Sequence, residues 1–324
     1  MPTIKSFSNF FSKTDPKTLQ DIKTVTDHLK QNYNAKCYVV GGAVRDRIMG
    51  YTCNDYDVEC FGISVEDFED AMDHLGAQGV GKSFFVYKYH DLDIALPRTE
   101  QKVSAGHRGF KVSLATDERE ASRRRDFTIN ALALSLQQAN FGTLLDPFNG
   151  RQDLEQKLIR TPLDPDTTYS DDPLRMLRAI RFATQLDFTI EPTSLEAIER
   201  NADRIKIISR ERIVDEVHKI LAAPKPSTGF ALLHRTGLLP YIFPELVALE
   251  GIEEVEGQRH KDNFWHTLEV VDNLAEVSNN LWLRWAALLH DIGKAPTKRF
   301  DKKVGWTFHG HEFVGGKMVY KLFK

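Results

Sequence analysis

The chain has 324 residues, enough for two or three domains rather than one. With 41% apolar and 27% charged residues it can bury a real core, which excludes disorder and collagen-like repetition. A formal net charge of −3 excludes a protein that coats nucleic acid by bulk charge, so such a partner must be held by local patches.

Cys37, Cys53 and Cys60 have no C-x-x-C spacing, which argues against a disulfide scaffold and predicts a reducing compartment, the cytoplasm by default. The first residues carry no export signal and no 18-residue apolar run occurs, so neither secretion nor a membrane span is expected. Leu19, Ile22, Val25 and Leu29 share one stripe and predict a helix over 16–34. Cys37 to Val40 reads as a short buried strand running into Gly41-Gly42, and Ala43 to Met49 as a short helix stopped at Gly50. A second strand is expected over 55–60, where Asp55, Asp57 and Glu59 alternate and therefore share one face. A helix over 65–75 follows, then strands over 84–87 and 91–96, and a polar stretch at 98–116 that reads as a mobile loop. Apolar spacing turns helical from 126 to 136. Beyond 150 it predicts helices over 151–159, 172–186, 194–203, 209–221 and 227–236, punctuated by prolines. Three domains are expected: a head over 1–160, a helical neck over 161–245 and a further helical region over 246–324.

Carboxylates at i and i+2 on a strand lie roughly 6 to 7 Å apart at the backbone, close enough to share two metal ions between them. An isolated D-x-D is most often a solvated acidic face, and Gly-Gly alone is usually a turn. The order strand, Gly-Gly, helix, acidic strand is more informative, because it sets a phosphate grip beside a metal grip. Nucleotidyl transfer is the chemistry that uses both.

Val39-Val40-Gly41-Gly42-Ala43-Val44-Arg45-Asp46 with Asp55-Tyr56-Asp57 resembles the first motif of class II nucleotidyltransferases in the DNA polymerase β superfamily. These are the tRNA CCA-adding enzymes and bacterial poly(A) polymerases. Arg124 to Ala131, Asp146-Pro147-Phe148-Asn149-Gly150 and Asp171 to Arg178 resemble the later motifs in the expected order, and the likeness runs from about 36 to 315. It implies an α+β protein: a polymerase β-like head of mixed sheet and helices, an all-helical neck and a partial helical HD domain.

The resemblance implies an enzyme that adds C and A from CTP and ATP to the tRNA 3′ end. Two Mg²⁺ ions would sit on Asp55 and Asp57, with Asp93 as third carboxylate and Asp91 its near competitor. Gly41, Gly42, Arg45, Arg125, Asp126 and Asn130 would contact the nucleotide. Asp172 and Arg175, spaced i, i+3, would read the base edge, with Arg178 nearby, although a salt-bridged surface pair has the same spacing. The family usually has Glu where this chain has Asp171. Arg178, Arg181, Arg200, Arg204, Lys206, Arg210 and Arg212 could form an RNA track if they converge.

His266, His290-Asp291 and Lys294 resemble the HD phosphohydrolase pattern, with His309 and His311 downstream. A second divalent metal is expected there if the domain is complete. The sequence ends at Lys324 inside a predicted amphipathic helix, before the family's last aspartate, so a truncated domain with doubtful hydrolysis is expected. The competing functions are a poly(A) polymerase of the same family and an HD-type metal-dependent phosphohydrolase. Nothing in the sequence speaks to oligomeric state.

Overall fold

The computed structural model describes residues 10–11, 14–53, 55–80, 85–102 and 110–324, with 98–102 and 110–112 described by backbone alone. It divides into two compact units, Met1–Asp164 and Pro165–Lys324. Among the described residues no helix is long and apolar enough to cross a membrane.

The first unit is built on a seven-stranded mixed sheet. Its strands are β1 (Lys36–Val40), β2 (Tyr56–Phe61), β3 (Gln78–Gly79), β4 (Val86–Tyr89), β5 (Leu92–Ala95), β8 (Ala133–Ser135) and β9 (Leu144–Leu145), in the order β3-β4-β5-β2-β1-β8-β9. Within this sheet, among the described residues, only β2 and β5 pair in parallel, which requires a crossover, and the helix Val65–Leu75 lies in that connection. The helix Pro16–Tyr33 starts where Asp15 accepts from the Lys17 and Thr18 amides, and it buries Ile22, Val25 and Leu29.

Two expectations fail here. The stretch 98–116 contains two antiparallel strands, β6 (Arg98–Lys102) and β7 (Phe110–Leu114), while 103–109 lie outside the described residues. From 126 to 136 there is no long helix: a single 3₁₀ turn, Thr128–Asn130, precedes β8. The run Ala131-Leu132-Ala133-Leu134 is buried throughout, and a fully buried run carries no period that separates strand from helix. Hydrogen bonding to β1, with Val39 opposite Leu134, decides for the strand.

Asp146-Pro147-Phe148-Asn149-Gly150 works as a clamp on that 3₁₀ turn. The Asp146 carboxylate accepts from the Gly150 and Arg151 amides at 2.6 and 3.0 Å. A Cβ on Gly150 would stand 2.1 Å from the Thr128 carbonyl oxygen, so only glycine permits the approach. Gly150→Ala is expected to cost about 2 to 3 kcal/mol, as overpacking against rigid backbone does, read as a loss of denaturation midpoint.

The second unit is mainly helical, with two short hairpins at 254–259 and 299–307. In the helix Leu174–Leu186 the side chains of Leu174, Leu177 and Ile180 turn inward as their spacing predicts. Arg284, on the helix Leu281–Leu289, is 2% exposed. Its guanidinium donates to the carbonyls of Leu221 and Ala223 at 2.9 and 2.7 Å, and to those of Ser278 and Ala275 at 3.0 and 3.2 Å.

Candidate active site

β1 delivers the glycine turn to the acidic strand. Val40 stands opposite Asp57 on β2, and Asp57 stands beside Asp93 on β5 in parallel register, so three strand ends form one ledge. Gly41 has φ +72°, a left-handed conformation that glycine adopts freely. A Cβ at Gly41 would lie 2.9 Å from an Arg125 terminal nitrogen and 3.8 Å from Asp57 Oδ2. Gly41, Asp57, Asp93 and Arg125 therefore gather at one place, with Asp55 exposed just ahead of β2.

Electrostatics bear this out. The Asp57 carboxyl is pushed up to about 6, first by loss of hydration, then by the like charges of Asp55, Asp93 and Glu59; Arg125 acts against them. Asp57 keeps an exposed edge, so its oxygens are reachable although the protein crowded around it dehydrates them. Carboxylate oxygens whose charges act on one another in this way suit a hard divalent cation such as Mg²⁺. Asp93 has one distant cationic neighbour, Lys88 at 3.8 Å, and Asp91 lies in the turn before β5.

Arg45, Asn130 and Asp126 form a buried chain. Arg45 donates to Asn130 Oδ1 at 2.6 Å and to Asp46 at 2.7 Å, and Asn130 donates to Asp126 Oδ1 at 2.9 Å. The Phe127 amide also donates to that oxygen, at 2.8 Å. These bonds tie the segment after Arg125 to the helix Gly42–Ile48, with Arg45 also lying under Gly42. One participant was not singled out from sequence. Glu59, 5% exposed, accepts from Arg125 at 2.8 Å and from Arg124 at 2.9 Å. Its place as the third member of the acidic alternation was the available signal.

In the second unit, Asp172 is not on a helix with Arg175. The helix expected over 172–186 breaks at Pro173, which leaves Asp172 between Pro165–Asp171 and Leu174–Leu186. One Asp172 oxygen accepts from the Leu174 amide at 3.2 Å and the other pairs with Arg212 at 3.0 Å. Several cations of this region pair with acids, while Arg204 donates to the Ser170 carbonyl at 2.8 Å and Lys206 lies over the Tyr241 ring. Arg178, Arg181 and Lys219 lie 3.9, 3.2 and 3.3 Å from buried Glu216, and Arg200 pairs with Asp166 at 2.7 Å.

His266, His290 and Asp291 bring ligand atoms within 4.8 Å of one another, a nitrogen and oxygen set that fits a divalent transition metal. His290 Nδ1 bonds the Ala287 carbonyl at 2.7 Å, which leaves Nε2 to face Asp291 at 3.0 Å. His311, on the helix His311–Leu322, adds a nitrogen 3.6 Å from Asp291. The Lys294 ammonium lies 2.6 Å from Asp291 and competes for it.

Comparison with known proteins agrees with this layout. A model described as the poly A polymerase head domain matches residues 37–160, one described as a probable RNA and SrmB-binding site of polymerase A matches 187–249, and an HD domain model matches 263–324. The multifunctional CCA protein of Shewanella frigidimarina is 38% identical over 298 residues, covering 89% of this chain and 68% of that protein. The multifunctional CCA protein of Nitrosospira multiformis is 36% identical over 296 residues, with coverage of 89% and 68%. The crystal structure of the Bacillus stearothermophilus CCA-adding enzyme in complex with CTP is 30% identical with a TM-score of 0.61, covering 72% of this chain and 57% of that one. A CCA-adding enzyme complex with CTP reaches a TM-score of 0.64 at 26% identity, covering 90% and 65%. The chain thus spans about two thirds of those curated relatives, and less of these two solved structures. Identity at that level along nine-tenths of its residues means that this chain belongs to the multifunctional CCA protein family, which carries the poly A polymerase head.

Proposed function

We propose that this protein is a template-independent nucleotidyltransferase that adds C and A, from CTP and ATP, to the 3′ end of tRNA. The observation that carries the reading is the ledge on which Asp57 and Asp93 share a rung beside Gly41 and Arg125. The curated relatives named for CCA and the solved enzymes bound to CTP support it.

Enzymes of this family depend on a divalent metal. Here two Mg²⁺ ions are assigned to Asp55 and Asp57, with Asp93 alongside. When bound, they supply acidification of the attacking 3′-hydroxyl and neutralisation of triphosphate charge. The protein's own part is positioning. Gly41 offers no side chain, so backbone amides can approach phosphate, and Arg125 donates to phosphate oxygens. The buried Arg45–Asn130–Asp126 chain holds the arginine's segment in place and sets Asp126 toward the ribose. Asp172 accepts from the base edge and Arg175 donates to it. Arg212 fixes the Asp172 carboxylate for that task. With three free thiols the enzyme suits the reducing cytoplasm.

The test is incubation of the purified chain with tRNA lacking CCA, giving labelled CTP and ATP separately and then together. Addition of C, then A, carries the proposal. Long ATP-only tails on general RNA would replace it with a poly(A) polymerase, and no incorporation from either nucleotide would end it.

A pH dependence follows from Asp57. Its carboxyl titrates near 6 in the metal-free head, above the ordinary aspartate value of 3.8. The folded head therefore holds that proton more tightly than the unfolded chain. Its stability without metal falls as pH rises from about 4 to about 6 and is flat above. Below pH 6 the proton must leave before a cation binds. Mg²⁺ affinity and CTP incorporation are expected to fall by about tenfold per pH unit below 6, measured by calorimetric titration at several pH values.

The helical unit is predicted to bind metal independently. His290→Ala should remove bound Ni²⁺ or Co²⁺ from His266, His290 and Asp291, as measured by metal content after dialysis, together with any phosphohydrolase turnover. Undiminished metal content would show that the ion lies elsewhere.

A further inference from the structure

An arginine beside a carboxylate normally closes on it as a bidentate pair, occupying both oxygens. Arg125 is near enough to Asp57 for its charge to be felt there, and both crowd the missing side chain of Gly41. Yet the Asp57 carboxylate makes no ion pair and no hydrogen bond with another described residue. The guanidinium is turned instead to Glu59, where a terminal nitrogen donates to Oε1 at 2.8 Å. Arg124 donates to the same oxygen at 2.9 Å. Glu59 lies two residues along β2 from Asp57, on the same face, so the strand's period sets a second acceptor one step deeper. The Glu59 side chain is 6% exposed, and in that poorly hydrated place it is a stronger partner for Arg125 than the exposed edge of Asp57. The arginine's backbone is fixed as well, its amide bonding the Ser122 carbonyl at 3.1 Å.

We propose that Glu59 is a positioning residue: it draws Arg125 away from Asp57 and so keeps the Asp57 oxygens open to a cation. This rests on the reading of Asp57 as a cation ligand. Glu59 itself touches neither metal nor nucleotide. It decides whether the neighbouring arginine is a donor for phosphate or a plug over the metal site.

The experiment measures Mn²⁺ binding to the full chain without nucleotide, by electron paramagnetic resonance, in a His290→Ala background so that the helical unit's cluster does not contribute. E59Q keeps the shape and loses the charge. Arg125 should then close on Asp57 and weaken Mn²⁺ binding by about tenfold, the effect of one competing charge at a partly buried site. E59D, which keeps the charge, should bind within a few-fold of the parent, and E59Q/R125M, which removes the plug, should recover parental affinity. E59Q binding Mn²⁺ like the parent, or E59Q/R125M remaining weak, overturns the proposal. If E59Q alone does not melt cooperatively, the double variant carries the test by the same criterion, since it removes Arg125 with its partner and leaves only the more exposed Arg124, which water can reach. The underlying reading is checked separately with D57N: if D57N binds Mn²⁺ like the parent, Asp57 is no ligand, and that failure is distinct from a failure of Glu59.

Discussion

Asp57→Asn is expected to lower CTP incorporation by about a thousandfold or more while the fold stays intact, the scale set by losing charge stabilisation at a phosphoryl-transfer centre. The substitution keeps the shape of the side chain and removes its charge. Two features of the site separate this loss from simple damage. The native carboxyl is pushed up to about 6 by lost hydration and by Asp55, Asp93 and Glu59, so at neutral pH its charge opposes folding in the absence of metal. A neutral amide relieves that opposition, and the melting temperature without metal should hold or rise. In parallel, Mg²⁺ should no longer raise it. Asp55→Ala should also abolish incorporation, although Asp55 is exposed and its replacement should leave the metal-free melt unmoved. A variant at 57 that still incorporates CTP at the parental rate would remove Asp57 from the mechanism.

The largest stability effect is expected at Arg284. Its guanidinium is buried with no carboxylate within ion-pair distance among the described residues, and is satisfied by backbone carbonyls from three places: 221 and 223 at and just past the end of the helix Arg210–Leu221, 275 in the helix Asn263–Val277, and 278 just past it. Carbonyls at helix C-termini carry partial negative charge, which suits a cation. Removing it leaves several acceptors buried without a donor, a loss of about 3 to 5 kcal/mol by analogy with broken buried charge networks. Arg284→Met should therefore lower the melting transition of the Pro165–Lys324 unit by about 10 °C, followed by calorimetry. Arg284→Lys should recover only a small part, because one ammonium cannot span carbonyls that the planar fork reaches together. An unchanged transition in Arg284→Met would mean that water replaces the guanidinium without penalty.

Much of the head was legible because its signals are local. The acidic alternation at 55, 57 and 59, the Gly41-Gly42 break and the helix Val65–Leu75 each depend on a few adjacent residues, and the structure shows each nearly where the spacing put it. What was not legible depends on partners distant in sequence. Leu132 and Leu134 fit a buried helix equally well, and pairing with β1 and β9 makes the segment a strand. The stretch 98–116 has no apolar period, so the strands β6 and β7, defined by their bonds to each other, left no trace in it. Glu59 shows in the sequence only as the third acid on one strand face, while the two arginines from beyond residue 120 that meet it in the interior are visible only in the fold. Asp172 and Arg175 have helical spacing, but Pro173 between them caps the helix Leu174–Leu186 and leaves Asp172 outside it. The cluster of His266, His290 and Asp291 was found from motif resemblance, while the intrusion of Lys294 on Asp291 is visible only in three dimensions.

The parallel pairing of β2 with β5 has a mechanical consequence. Acids at 57 and 93 come from well-separated stretches of chain, yet they occupy facing positions in a ladder braced by β1 on one side and β4 on the other. On the proposed reading of these acids, an arriving ion would have little wandering chain to gather up at this seat, because the entropy of bringing the two side chains together was spent when the protein folded. Fraying at the β3 margin can come and go without prising the seat apart, because β4 stands between them.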